Sequence, residues 1–416
     1  MPDWPRKRTK YNQERNEEMM QKEQILEMAR QLDPKLREIW QDLHRHPELG
    51  FEEVYTAQKV AEVLRGLEIE VRDQIGGTGV IGIIRGAHPG KTLLLRADMD
   101  ALPIQEETGL ACASCSPGKM HACGHDAHVT WLLGAAMLLK CMRRELHGTV
   151  KLLFQPSEEA PGGAQRMLEC GVLKDPDVDM ALAAHVSPDY PAGKYLLQAG
   201  PVTANPDFFT LTLCGKGAHG SQPEKAVDAI NMGVKVYELL ETFVSRCISP
   251  CTEAVLSVCT FHAGTSRGAI PGSCELTGTV RSFQPQVQQA AKAFIDRCAK
   301  AVTQLYGGSY TLDYRIACFP VENDPRLTCS VQAHTGELLG PDAVLTQADR
   351  FMGGEDFCFI SREVPSVFAF VGCKNEELFQ AVPLHNPAFR LDEGVLAPTA
   401  AMLAYNALCL LQDGAQ

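Results

Sequence analysis

The sequence has no excess of positive charge: 39 Lys and Arg stand against 51 Asp and Glu, a net charge of −12. A general nucleic-acid binder needs a basic footprint to displace phosphate counterions, so this balance speaks against that class. The chain also lacks an apolar run approaching the roughly 20 residues of a membrane span, which speaks against an integral membrane protein. Its first twenty residues, MPDWPRKRTKYNQERNEEMM, contain no hydrophobic stretch of the kind a secretory signal carries. Residues 1–20 read instead as a mobile tail entering a helix. Internal repeats and low-complexity segments are missing too. What remains is a chain of 416 residues, 45% of them hydrophobic, long enough for a large core and two domains. Its 16 cysteines are scattered through apolar stretches such as LSVCTF and LCLL, a distribution that suits free buried thiols in a reducing cytoplasm.

Residues 36–67 carry helical periodicity, broken at HRHPELG by Pro47 and Gly50. Short β-rich runs follow at 79–86 and 91–100, and again at 148–155 and 179–186, with helices over 129–146 and around 163–170. The run KTLLLRADMD is almost continuously apolar before its acidic end, as a strand covered on both faces would be. Alternating strands and helices predict an α/β domain around a mixed, largely parallel sheet. Between 202 and 319 the rhythm changes. Strands at 207–215, 253–264, 273–283 and 309–319 and helices at 225–246 and 286–306 give the order β-α-β-β-α-β, the ferredoxin-like arrangement. The expected organisation is therefore a first part of the main domain over 21–201, an inserted domain over 202–319, and a second part over 320–416 that closes with a helix after Asp392.

The stretch KMHACGHDAH, residues 119–128, places His121, Cys123 and His125 at alternate positions. A thiolate and an imidazole from one turn make a good half-site for a metal ion. As a nucleophile, Cys123 would find His125 an awkward base, because the short separation leaves little room for a third group to orient it. The surrounding sequence adds weight to the metal. The run LLLRADMD ends in Asp98 and Asp100, KLLFQPSEE ends in Glu158 and Glu159, and ALAAHV ends in His185. The carboxyl ends of parallel strands are where open α/β sheets place their sites. Of two adjacent glutamates after a strand, one can ligate a metal while its neighbour points at a water. His385, in VPLHNP, is one more candidate ligand from a distant loop.

The segments RADMDALP, MHACGHDAH, QPSEEAPGGA, GKGAHGSQP, GTVRSF, GGEDF and PLHNPAFRLDE resemble, in order, motifs of the M20 metallopeptidase family. The resemblance is to its N-acyl-amino-acid amidohydrolase branch, which includes hippurate hydrolases and auxin–amino-acid conjugate hydrolases. It extends from HRHPELGFEE almost to the C-terminus. It implies a catalytic domain holding two divalent metal ions, Mn²⁺ or Zn²⁺ with Co²⁺ as a third candidate, and an inserted lid that forms a homodimer. It implies Cys123, His125, Glu159, His185 and His385 as metal ligands and Glu158 as general base, with Asp98 and Asp100 orienting ligands. By the same resemblance His219 helps stabilise the oxyanion, often in a partner subunit's site, and Arg281 grips the substrate carboxylate.

Two positions depart from the family pattern. Gly268 stands where the family has an asparagine before VIP, with Arg267 beside it, and Glu224 stands where a histidine usually follows Gln222 and Pro223. Both concern substrate contacts, so they bear on specificity. Arg267 turned inward would favour acidic amino-acid halves, and turned outward it would leave Gly268 as added room. Cys112 and Cys115 form a C-x-x-C that the family does not require, and no second pair at zinc-finger spacing follows it. The expected activity is hydrolysis of N-acyl amino acids. A metal-dependent dipeptidase, a catalytically silent metal- or ligand-binding homologue and a thiol hydrolase using Cys123 are the rival readings.

Overall fold

The computed structural model describes residues 4–160, 162–348 and 350–413, of which 4–20 are described by their backbone alone. The chain divides into two compact units. One comprises Met1–Gly200, Glu322–Asp349 and Phe359–Gln416, and the other Pro201–Val321 and Arg350–Cys358.

The first unit is built on an eight-stranded sheet. Its first six strands in chain order are β1 (Glu70–Ile75), β2 (Gly79–Arg85), β3 (His88–Asp98), β4 (His147–Gln155), β5 (Met180–Pro191) and β6 (Tyr195–Leu196). The spatial order is β1-β2-β4-β3-β5, then Ser366–Lys374, β6 and Val344–Leu345. The four central strands, β4, β3, β5 and Ser366–Lys374, run parallel. They carry side chains buried on both faces, and Leu93, Leu95, Leu152, Phe154, Leu182 and Phe368 are all 1% exposed or less. This is the mixed, largely parallel sheet that the strand–helix alternation predicted. Helices α1 (Trp4–Arg45), α2 (Val54–Gly66), α3 (His125–Cys141) and α4 (Gly163–Glu169) belong to the same unit. The closing helix Leu396–Asp413 packs on α1, α3 and strands β3 and β4. By length and composition that helix could cross a membrane, yet 83% of its apolar window is buried in the protein, as befits a core helix.

Several elements differ from the sequence reading. Of the tail expected over 1–20, residues 1–3 lie outside the described residues, and the rest begins a 42-residue helix. From Ile25 onward α1 buries Ala29, Leu36, Trp40 and Leu43, a helical stripe that tolerates Pro34 inside it. The strands β1 and Ser366–Lys374 and the helix Pro325–Leu339 escaped the sequence reading altogether. Strand β5 does not stop at Val186 but continues to Pro191.

In the second unit the antiparallel order is Ala254–Ala263, Ser273–Ser282, Asn205–Cys214 and Ser309–Ile316. Helices Ala229–Leu240 and Pro285–Tyr306 pack on that sheet. Leu211, Leu213, Leu276 and Val280 face the helices and are buried, while Phe208, Thr210, Thr277 and Thr279 alternate with them. Asp228 caps the first helix, accepting the N–H groups of Ile230 and Asn231.

Candidate metal centre

The loop before α3 is shaped by Gly124, which sits in the left-handed region at φ 75°. A side chain there would be strained, and its Cβ would come within 2.6 Å of Val186 Cγ2. The turn leaves Cys123 in the loop and makes His125 the first residue of α3. On the neighbouring strand, β3 ends at Asp98, and Asp100 lies two residues beyond.

Asp100 organises the glutamate pair. Its Oδ1 accepts the Glu158 N–H at 2.9 Å and its Oδ2 the Glu159 N–H at 3.0 Å. The same carboxylate lies 3.3 Å from His125 Nδ1. With Nδ1 directed at Asp100, His125 turns Nε2 inward, and that buried nitrogen has no hydrogen-bond partner. His185 is oriented in the same manner. Its Nδ1 donates to the Val186 carbonyl at 2.7 Å, and its Nε2 faces Cys123 Sγ at 3.5 Å. The ligand atoms of Cys123, His125 and Glu159 all lie within 4.8 Å of one another. His385 adds its Nε2, 2.9 Å from Glu159 Oε1, although Glu159 Oε1 is a buried atom with no hydrogen bond. The His385 backbone N–H donates to the Ala122 carbonyl at 2.9 Å, which ties this distant loop to the cysteine turn.

His128 and Asp98 also lie within 4.8 Å of His125 and His185, but they are committed elsewhere. His128 Nδ1 donates to Asp98 Oδ1 at 2.5 Å, and its Nε2 accepts the Val186 N–H at 3.0 Å. Asp98 Oδ2 accepts from Arg96 Nη1 at 2.7 Å, leaving His125 Nε2 at 3.7 Å. Neither nitrogen of His128 is free, so it braces the site rather than ligating in it.

The electrostatics of the cluster favour positive charge at its centre. Burial pushes the Cys123 thiol well above its ordinary value, and Glu159 and Glu158 push it further. Burial opposes a charge on His125, yet Asp98 and Asp100 overcome it and hold the imidazole at about 10. Burial and His128 drive His185 well below its ordinary value. Buried Asp98 and Asp100 thus draw a proton onto His125. A divalent cation meets the same demand through a thiolate, imidazole lone pairs and a carboxylate, and it partners the two orphaned atoms. The donor set fits divalent metal ions. A thiol nucleophile fits less well, since it needs a cation beside it and Cys123 has carboxylates.

Two neighbours of this centre were not singled out from the sequence. His44, at the end of α1, places Nδ1 2.6 Å from Asp126 Oδ2 and Nε2 3.3 Å from Glu106 Oε1. Burial works against its charge, but the bonds to Asp126 and Glu106 raise it to about 9. Glu53 holds the glutamate loop through the Ser157 N–H. Both occur in HRHPELGFEE, where only their spacing to partners far along the chain gives them a role.

The second unit holds the remaining candidates. His219 pairs with Ala269 in a short antiparallel ladder, which brings it beside Gly268. Its Nδ1 accepts the Ser221 N–H at 3.2 Å and lies 2.7 Å from Ser221 Oγ, so the neutral ring carries its proton on Nε2. Arg267 and Gly268 are exposed. Arg281 is half-buried, bonds Thr279 Oγ1 through Nε at 3.1 Å and the Met352 carbonyl through Nη1 at 3.4 Å, and has no carboxylate partner among the described residues. Cys112 is buried, Cys115 exposed, both are free thiols, and neither belongs to a metal-capable group among the described residues.

An α/β sheet whose strand ends meet a thiol, imidazoles and paired glutamates in one buried cluster defines a metal-dependent hydrolase. The chain belongs to peptidase family M20/M25/M40, which it matches over residues 94–408. It is 36% identical to thermostable carboxypeptidase 1 of Saccharolobus solfataricus, over 90% of this chain and 95% of that one. It is 38% identical to the N-acetylcysteine deacetylase of Bacillus subtilis, over 89% of this chain and 95% of the relative. Among solved structures, a dinuclear metal-binding M20 peptidase of Bacillus subtilis superposes with a TM-score of 0.81 at 35% identity, covering 92% of this chain and 99% of that one.

Proposed function

We propose that this protein hydrolyses the amide bond of N-acyl amino acids, releasing a carboxylic acid and a free amino acid. The observation that carries the reading is the Glu158–Glu159 pair, whose backbone Asp100 fixes beside the Cys123–His125–His185 donors. Cys123, His125, Glu159, His185 and His385 hold up to two divalent ions. Bound there, these ions supply the positive charge that acidifies a water and polarises the scissile carbonyl. Glu158 accepts the proton of the attacking water on its carboxylate and returns it to the leaving nitrogen as the C–N bond breaks. Asp98, through His128, and Asp100, through His125, keep the imidazoles in one tautomer. Manganese and zinc both suit the nitrogen and oxygen donors, and the Cys123 thiolate leans towards zinc or cobalt.

His219 is the oxyanion donor in this reading, supported by an Nε2 proton that Ser221 leaves free. Arg281 receives the α-carboxylate of the amino-acid half, supported by the absence of a carboxylate partner among the described residues. A homodimer through the second unit is supported by Ile230, Val234 and Tyr237, each about 40% exposed along one helix, and by Phe261 on an edge strand. A cytoplasmic setting is supported by 16 cysteines with no disulfide among the described residues.

The test is a panel of N-acetyl, N-benzoyl and dipeptide substrates, assayed after dialysis against chelator and repletion with single metals. N-acyl amino acids should be the faster substrates, and activity should vanish on chelation and return with metal. Preference for dipeptides would turn the reading to a dipeptidase, and undiminished activity in metal-free protein would overturn it.

A further inference from the structure

Glu53 immediately precedes α2, at the position where a side chain normally caps the helix, yet it makes no capping hydrogen bond. Glu48 does that work, accepting the N–H groups of Tyr55 at 2.9 Å and Thr56 at 3.0 Å. The Glu53 carboxylate is fully buried and is spent elsewhere. Its Oε1 accepts the Ser157 N–H at 2.8 Å, 104 residues away in sequence, and its Oε2 accepts the Thr78 hydroxyl at 2.5 Å.

Ser157 is the residue before Glu158 and holds a left-handed backbone at φ 56°. A side chain in that region costs on the order of 1 kcal/mol or more and persists only where its surroundings enforce it. The enforcement is visible. A Cβ on Gly163 would meet the Pro156 carbonyl oxygen at 2.2 Å, so the turn lies directly on α4. The backbone N–H groups of residues 157, 158 and 159 each donate to a carboxylate, the first to Glu53 and the next two to Asp100. Asp100 belongs to the metal centre. Among the described residues Glu53 belongs to no metal-capable group.

We propose that Glu53 is a positioning residue for catalysis: by locking Ser157 it aims the Glu158 carboxylate at the attacking water. The proposal rests on the reading of Glu158 as general base. It distinguishes Glu53, which sets the direction of a side chain, from a residue that merely stabilises the fold.

The experiment compares Glu53→Ala, Glu53→Asp, Glu53→Gln and Glu158→Gln in the metal-replete full chain, with kcat, KM and bound metal measured on a fast N-acyl substrate. Glu53→Asp keeps the charge but falls one methylene short of Ser157. Glu53→Gln can still accept from Ser157 and donate to Thr78. Glu53→Ala and Glu53→Asp should lower kcat about 10²-fold, the cost of a displaced catalytic group, with KM and metal content unchanged. Glu53→Gln should recover most of that rate. If Glu53→Ala does not fold, Glu53→Asp decides. Wild-type kcat in Glu53→Asp, or an equal loss in Glu53→Gln, overturns this proposal alone when Glu158→Gln is inactive. Wild-type activity in Glu158→Gln overturns the base assignment, and the positioning role with it.

Discussion

His44 should make the protein's stability depend on alkaline pH. Its ring is 4% exposed and clamped between Asp126 and Glu106, which raise it from the ordinary 6.5 to about 9 despite burial. The folded state therefore prefers the protonated imidazole. Its contribution is fully present below pH 6.5, declines as the pH climbs from there, and is gone above 9. At about 1.4 kcal/mol per pH unit, the difference is on the order of 3 kcal/mol. For a chain of 416 residues this corresponds to a fall in Tm of about 4 °C. Other groups titrate over the same range, so the assay is a comparison: thermal unfolding of wild type and His44→Gln at pH 6 and at pH 9.5. The wild type should lose about 4 °C more than the variant between the two pH values. Parallel curves would refute the idea that His44 is charged in the fold.

Purified protein should carry up to two divalent ions per chain, and Cys123→Ser should lose metal and activity together; elemental analysis finding no metal in a fully active preparation would falsify the centre. Glu158→Gln should drop kcat by about 10²–10⁴-fold while metal persists, and a variant that sheds its metal instead exchanges the roles of Glu158 and Glu159. Mixed dimers of His219→Ala and Glu158→Gln should regain activity if His219 serves the partner's site, and mass spectrometry that finds inactive hybrids counts against it. Arg267→Ala should cost N-acetyl-glutamate at least about tenfold in kcat/KM and N-acetyl-leucine little if that guanidinium contacts the substrate, since a charge-assisted contact of about 1.5–3 kcal/mol is lost. Equal small effects on both substrates would leave it a solvated charge.

The sequence by itself determined the fold class and the neighbourhood of the chemistry. Predominantly apolar runs ending in Asp98, and in Glu158 and Glu159 just beyond Gln155, announce buried parallel strands with a site at their ends, because a strand covered on both faces is mostly apolar. Tertiary structure alone decided which donors are free. His125 and His128 lie three residues apart in the same stretch, and nothing in their spacing tells them apart. His125 ends with an unpartnered Nε2, while His128 spends both nitrogens on Asp98 and Val186, partners that lie 30 and 58 residues away. The strand Ser366–Lys374 was missed because a short apolar run reads equally as strand or buried helix until it has a neighbour to pair with, and that neighbour is β5. Glu53 directly precedes α2, and only the folded chain brings its carboxylate to Ser157. Local pattern decides where polar and apolar groups alternate. Which lone pair, carboxylate or N–H remains available depends on partners brought together across a hundred residues, which no local pattern encodes.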